Sequence, residues 1–464
     1  MPRNVLSAGL LLLLGCSSTP ASPVEQSGGG ASAGAGAPAA SAGSSGSSAG
    51  APAAGNGGTL GGQGGSATAT SGSTNGGSAS AGAGTVAGAS NGGSASGGAA
   101  GSSGSAGAAG AAHTPCASHA GATTLAAKYA DCFPIGAAVD STSYTTHAAV
   151  LKAHFNSVTP ENEMKFSSLE PSSNSFNYAA ADNIVNFAIS NNMRVRGHTL
   201  VWYQQNPDWL FAGATSQTLL ARMQNHIAKV VGHFKGKAYA WDVVNEAIMN
   251  DGNYRTGNEA DSKQSSSWYG IMGKSYIAEA FKAAHAADPD AKLFYNDFYD
   301  YIPAKRQGIY NMLKELLAAG VPVHGVGMQC HINIQPSTDT ANQAYYQDVA
   351  NLEQAIQLYS SLGLEVQVTE MDNSLYVPGV TYTSATFYTA ATFTDALKAK
   401  QAARYREFFE LFRKYSDVIS GVTLWGIADD NTWLSEFDSG RKDFPLLFDT
   451  DHQPKPAYDA VMDF

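Results

Sequence analysis

From residue 133 onward the chain alternates short apolar runs with longer amphipathic ones. The runs predict strands at 133–139, 157–160, 194–201, 238–244, 292–296, 325–330, 365–369 and 421–425. Between them apolar residues recur at helical spacing. Leu219, Met223, Ile227, Val230 and Phe234 mark one face; Ile309, Met312, Leu313, Leu316 and Leu317 mark another; Tyr405, Phe408, Phe409 and Phe412 mark a third. Gly320 and Gly363 close two helices and Pro289 follows another. Eight strands alternating with helices predict an α/β fold, a single (β/α)8 TIM barrel. A doubly wound open sheet is the alternative, weakened because no Gly-rich dinucleotide fingerprint follows an early strand.

Before this domain, assigned to 113–464, the pattern disappears. From Ser17 to Ala112 the chain is almost entirely Gly, Ala and Ser, and its only ionisable side chain is Glu25. Too few large apolar groups are present to offset the entropy of ordering, so 16–112 is expected to be a disordered linker. As a Gly-rich coil it would reach roughly 50–60 Å. Residues 1–15 place Arg3 ahead of an apolar stretch too short to span a bilayer, ending in Leu13-Leu14-Gly15-Cys16. This resembles a bacterial lipoprotein signal peptide, with Cys16 as the lipidated residue. A plain secretory signal is the other reading. The first implies an exported protein, lipid-anchored at the cell surface or outer membrane or released extracellularly, touching membrane only through that anchor.

The formal charge of −11 belongs to the domain, since Arg3 and Glu25 cancel. That acidity argues against a nucleic-acid partner. Cys116 and Cys132 bracket the domain's start; a disulfide between them would stabilise by about 3 kcal/mol. Cys330 is left as an odd thiol inside an apolar strand, expected to be buried and inert. No Cys/His spacing resembles a zinc site, so no metal is assigned.

In a barrel of this kind the active site lies at the C-terminal strand ends. The second strand ends in "TPENEMKF", with Glu161, Asn162 and Lys165. The third ends in "GHTLVWYQQNPDW", with His198, Trp202, Gln205 and Trp209. The fourth ends in "WDVVNEA", with Asn245 and Glu246, and the fifth in Asn296-Asp297, which alone would also fit a helix start. The sixth brings Gln329 and His331 in "MQCHI", the seventh Glu370 and Asp372 in "VTEMD", and the eighth Trp425, with Trp433 in the loop beyond. Four of the six tryptophans thus gather with amides and two glutamates. Caps and polar rims explain some of these residues singly but not their grouping. Indole faces stack on sugar rings, while amides and carboxylates bond the hydroxyls.

Two glutamates on opposite sides of a barrel suit glycosidic bond cleavage: one protonated to serve the leaving oxygen, the other ionised to attack or to activate water. Asp372 and His331 would keep Glu370 ionised; burial and the negative charge of Glu370 would keep Glu246 protonated. The bland reading of Glu246 is a polar residue capping a strand-to-helix turn. His226, His233 and His285 fall on helical stretches and are read as structural or solvated.

The same motifs, in the same order across the domain from Phe133 to the closing "KPAYDAVMDF", resemble family 10 glycoside hydrolases, the endo-1,4-β-xylanases. The resemblance implies a retaining double displacement on xylan or xylo-oligosaccharide, with no cofactor. It implies Glu246 as acid/base and Glu370 as nucleophile. Asn245 would contact the sugar 2-hydroxyl, His331 would bond the nucleophile, and Asp372 would stand behind it. Glu161, Asn162, Lys165, His198, Trp202, Gln205, Asn296, Gln329, Trp425 and Trp433 would bind the substrate. Phe166, Tyr203 and Phe298 depart from the residues usual in the family. A β-1,4-glucanase on the same barrel and a non-catalytic xylan-binding surface protein are the competing readings. A monomer is expected.

Overall fold

A computed structural model describes residues 115–117, 119–337, 346–377, 380–436 and 440–464. The expected signal peptide, the lipidation at Cys16 and the linker lie outside the described residues.

The barrel strands are β1 (Ile135–Val139), β2 (Ser157–Pro160), β3 (Arg194–Gly197), β4 (Ala238–Asn245), β5 (Lys292–Asp297), β6 (Gly325–Met328), β7 (Glu365–Ser374) and β8 (Ile419–Leu424). Each pairs in parallel with the next, and β8 returns to β1, closing the sheet. A helix follows every strand on the outside, from Ala148–His154 to Pro456–Met462. The predicted helical stripes are the buried ones. The helix Ser216–His233 turns Leu219, Met223, Ile227 and Val230 inward, and a Thr215–Thr218 capping box starts it.

Strands buried on both faces need apolar or small residues, and β1 (IGAAV) is buried throughout. Glycine serves close approach at β3. A Cβ on Gly197 would fall 2.2 Å from the Trp241 ring, which fills the space instead.

Three strand ends differ from expectation. The third run breaks after Gly197 and resumes at Val201–Trp202, which pairs with Val244 and Asn245. The sixth stops at Met328, because Cys330 is left-handed (φ 67°), and pairing resumes at His331–Asn333. Cys330 is therefore buried between two strand segments rather than within one, and burial pushes its thiol well up. The seventh runs on past Thr369 to Ser374, held at its end by the His331–Asn333 segment.

The described chain enters at the opposite end from the loops that follow the strands. Cys116 is disulfide-bonded to Cys132. Its amide donates to Ser416 Oγ at 3.0 Å, in the turn that leads into β8, and Arg413 donates to its carbonyl at 3.4 Å. Cys132→Ser should cost about 3 kcal/mol of stability by releasing this loop. A lowered Tm matched by the wild-type chain in reductant is the expected result.

Candidate active site

Glu246 follows β4 and has a left-handed backbone (φ 60°). A non-glycine residue held there costs on the order of 1 kcal/mol or more, which the surrounding contacts offset. Its amide donates to Asn296 O at 2.9 Å, and Arg255 Nε donates to its carbonyl at 2.9 Å. Its Oε1 accepts from Gln329 Nε2 at 2.9 Å and Asn245 Nδ2 at 3.3 Å. Its Oε2 is buried, with the Trp202 indole N–H the donor beside it. Burial pushes the carboxyl above its ordinary value; Arg255 opposes this and Asp297 reinforces it. Asp297 is the carboxylate that adds most to burial.

Glu370 and Asp372 are two apart in β7, so their side chains leave the strand on the same face. Both meet His331. Its Nδ1 lies 2.9 Å from Asp372 Oδ2 and its Nε2 3.2 Å from Glu370 Oε2. Burial alone would lower the His331 pKa, but the two carboxylates raise it to about 10. His331 is therefore an imidazolium at neutral pH. Burial would likewise raise Glu370, yet the His331 hydrogen bond, with His198 and the His331 charge, holds it below its ordinary value. One buried glutamate is driven toward its acid form and the other toward its carboxylate.

Asn296 joins the two halves. Its Nδ2 donates to Glu370 Oε1 at 2.7 Å and Asn245 Oδ1 at 2.9 Å, while its Oδ1 accepts from Thr369 Oγ1 at 2.6 Å. It lies within β5, one residue before its end, and starts no helix. Gln329 also reaches Asn245 Oδ1, at 3.4 Å. Trp433 donates its indole N–H to Asp372 Oδ2 at 2.8 Å, and its ring lies 5.0 Å from that of His331. Trp425 packs edge-on against His198 at 5.3 Å.

Beside these groups Lys165 Nζ donates to Asn162 Oδ1 at 3.0 Å and lies 5.0 Å from the centre of the Trp202 ring. Lys165 is buried. Gln205 donates to the same Asn162 oxygen at 3.3 Å. Glu161, Asn162, Gln205 and Trp433 line one cavity of about 730 Å³. All fifteen site residues anticipated from the sequence thus gather at the C-terminal strand ends. Trp209 instead packs beside Phe166 and bonds Glu170 O at 3.3 Å.

The sequence reading missed the layer beneath. Arg196 of β3 forms a bidentate pair with Asp242 of β4, and its Nε donates to Gln367 of β7 at 3.0 Å. His198 Nδ1 rests on Asp242 Oδ2 at 2.9 Å. The signal was present: an Asp inside "WDVV" and an Arg inside "RVRG" put charge within buried strands. Behind Glu246, Asp297 takes the Tyr295 hydroxyl and the Lys305 ammonium, the latter at 2.8 Å. Arg255 lies beyond β4 in a loop that has no periodic pattern to flag it.

The family model for glycosyl hydrolase family 10 matches residues 124–464. The chain belongs to glycosyl hydrolase family 10. It is 44% identical over 337 residues to the Beta-1,4-xylanase of Dictyoglomus thermophilum, covering 72% of this chain and 89% of that protein. The crystal structure of xylanase XynB from Paenibacillus barcinonensis, complexed with a conduramine derivative, is similar at 40% identity and a TM-score of 0.66. That match covers 74% of this chain and 99% of the other. A mutant structure in complex with xylotriose is similar at 39% identity and a TM-score of 0.64, covering 74% of this chain and all of the other (100%).

The three departures from the family's usual residues are each packed. Phe166 stacks on the buried His226 at 3.5 Å, and His226 rests on Glu170 at 3.0 Å, so His226 is structural as expected. The Arg255 guanidinium lies 3.9 Å from the centre of the Tyr203 ring, and Lys305 Nζ lies 3.4 Å from that of Phe298.

Gly327 makes room for Asn296: a Cβ there would fall 2.3 Å from Asn296 Oδ1 and 2.8 Å from Thr369 Cγ2. Gly327→Ala should therefore displace the amide that joins the two glutamates and lower kcat/KM by about 100-fold. Reducing-end release by a variant whose circular dichroism is unchanged measures this. Undiminished activity would remove Asn296 from the account.

Proposed function

We propose that this family 10 hydrolase cleaves internal β-1,4-xylosidic bonds of xylan and xylo-oligosaccharides by a retaining double displacement. What carries the reading is two buried glutamates at one set of strand ends in opposite surroundings, Glu370 Oε2 3.2 Å from His331 Nε2 and Glu246 Oε1 accepting from the neutral amides of Gln329 and Asn245. Glu370, kept ionised by His331, attacks the anomeric carbon. Glu246 gives its proton to the departing glycosidic oxygen. Glu246, now a carboxylate, takes a proton from water, which attacks the same carbon and releases Glu370. Asn245, oriented by Asn296 and Gln329, turns its amide toward the sugar 2-hydroxyl. Asp372 keeps His331 charged. Glu161, Asn162, Lys165, Gln205 and Trp433 bind the glycone side, with His198, Trp202 and Trp425 as walls. The family's xylanase members and the xylotriose complex support xylan over a glucan. Comparing rates on xylan and soluble cellulose tests this: a cellulose rate equal to that on xylan would favour the glucanase reading.

Cys16 and the apolar stretch before it support an exported, lipid-anchored protein. Among the described residues no helix is long and apolar enough to cross a membrane. Loss of palmitate labelling in Cys16→Ala tests the anchor.

Glu246→Ala should lower xylan hydrolysis by about 10²–10⁴-fold while sparing the first step on aryl xylosides, whose leaving groups need no proton. Wild-type rates on xylan would exclude Glu246 as the acid. The pH profile should be bell-shaped. As pH falls Glu370 is protonated and attack stops; as pH rises Glu246 loses its proton and the leaving group is no longer served. Glu370 is lowered and Glu246 raised, so the plateau lies between them. In Asp372→Asn the His331 pKa falls, Glu370 loses cationic support, and the acid limb should move to higher pH. An unmoved limb would disconnect Asp372 from Glu370.

A further inference from the structure

His147, Asp430 and His452 converge from three distant stretches of chain. His147 precedes the helix Ala148–His154, Asp430 follows β8, and His452 lies in the turn before the last helix. His147 Nε2 is 3.0 Å from Asp430 Oδ1, and His452 Nε2 is 3.3 Å from Asp430 Oδ2. The two imidazole rings are 4.2 Å apart. One donor atom from each residue can be chosen so that all three lie within 4.8 Å of one another. None of the three side chains is bonded to either glutamate of the site.

We propose that these residues form a zinc-binding site that stabilises the fold. Two imidazole nitrogens and one carboxylate oxygen are the donor set of a borderline cation and suit Zn²⁺ far better than Mg²⁺ or Ca²⁺. In a tetrahedral zinc site with bonds of about 2.1 Å, ligand atoms lie about 3.4 Å apart. Each imidazole nitrogen already lies near that spacing from a carboxylate oxygen, His147 Nε2 from Oδ1 and His452 Nε2 from Oδ2, so binding through one oxygen takes a turn of the Asp430 carboxylate and closure of the imidazole pair. The outer partner is also in place. Thr146 Oγ1 lies 2.8 Å from His147 Nδ1 and 3.3 Å from Thr142 O. With its own proton turned to that carbonyl, the hydroxyl accepts from Nδ1–H and leaves the Nε2 lone pair for the ion. His452 is a non-glycine residue in left-handed conformation (φ 62°), in a turn fixed by Asp449, which accepts from the His452 amide at 3.0 Å through its carbonyl. The side chain of Asp430 is 37% exposed, so water completes the coordination.

The ion would tie three segments at the rim of the glycone cavity, which Asp430 lines. The next residue, Asn431, already donates to Asp140 Oδ2 at 2.8 Å, and Trp433 in the same loop bonds Asp372. An ion bound only by the folded chain stabilises it by mass action.

The test is calorimetric titration of ZnCl₂ into the tag-free, EDTA-treated full chain, with MgCl₂ as control and thermal unfolding alongside. We expect one Zn²⁺ per chain, a raised Tm, and no Mg²⁺ response. His452→Gln, in the partly exposed turn, should weaken Zn²⁺ by about 100-fold or more and abolish the Tm rise. His147→Gln should do the same where it folds. Hydrolytic rate of the metal-free His452→Gln chain should equal that of the metal-free wild type. Absence of saturable Zn²⁺ binding, or unchanged Zn²⁺ affinity in His452→Gln, would overturn the site and leave a carboxylate hydrogen-bonded between two imidazoles.

Discussion

Two carboxyl groups buried at one set of strand ends cannot both keep ordinary acidity, and the surrounding residues are arranged by that constraint. Burial pushes both glutamates toward the neutral form. One of them is held ionised by the His331 hydrogen bond and by the neighbouring His198 and His331, the latter kept charged by Asp372. Glu246 has a cation near it too, but Arg255 bonds its backbone carbonyl rather than its carboxyl. The difference between the two glutamates thus comes from where each cation attaches, with burial common to both.

The barrel provides that asymmetry because its strands end differently. The β7 strand stays extended through Glu370 and Asp372, so period-two geometry gives both side chains to one histidine. β4 ends at Asn245, and the left-handed backbone of Glu246 turns its carboxyl away from the strand's own alternation. Gln205, Tyr299 and Cys330, which also follow barrel strands, share that backbone conformation. Such backbone is costly and persists where contacts over-determine it, as at Glu246, whose amide bonds Asn296 O and whose carbonyl accepts from Arg255.

The fold and the residues at the strand ends were legible in the sequence because both depend on short-range pattern. Apolar runs gave the eight strands, and the motifs after them carried the polar groups. What stayed hidden depends on contacts across the barrel. Asp297 is the carboxylate that adds most to the burial of Glu246, and it is held in place by Tyr295 and Lys305, a contact no motif announces. The breaks after Gly197 and Met328 follow from backbone turns within apolar runs that read as continuous. His147, Asp430 and His452 are too far apart in the chain for any spacing rule to connect them.

The position of the Cys116–Cys132 staple has a mechanical consequence. Cys116 is moored to Ser416 and Arg413 at the end where the strands begin, whereas the glutamates stand where they finish. A pulling force applied at residue 115 loads the disulfide loop and, through Arg413, the helix Asp395–Lys414 before it reaches the strand ends that carry the glutamates. A force or attachment made directly at residue 115 would therefore act on the end of the barrel opposite the glutamates.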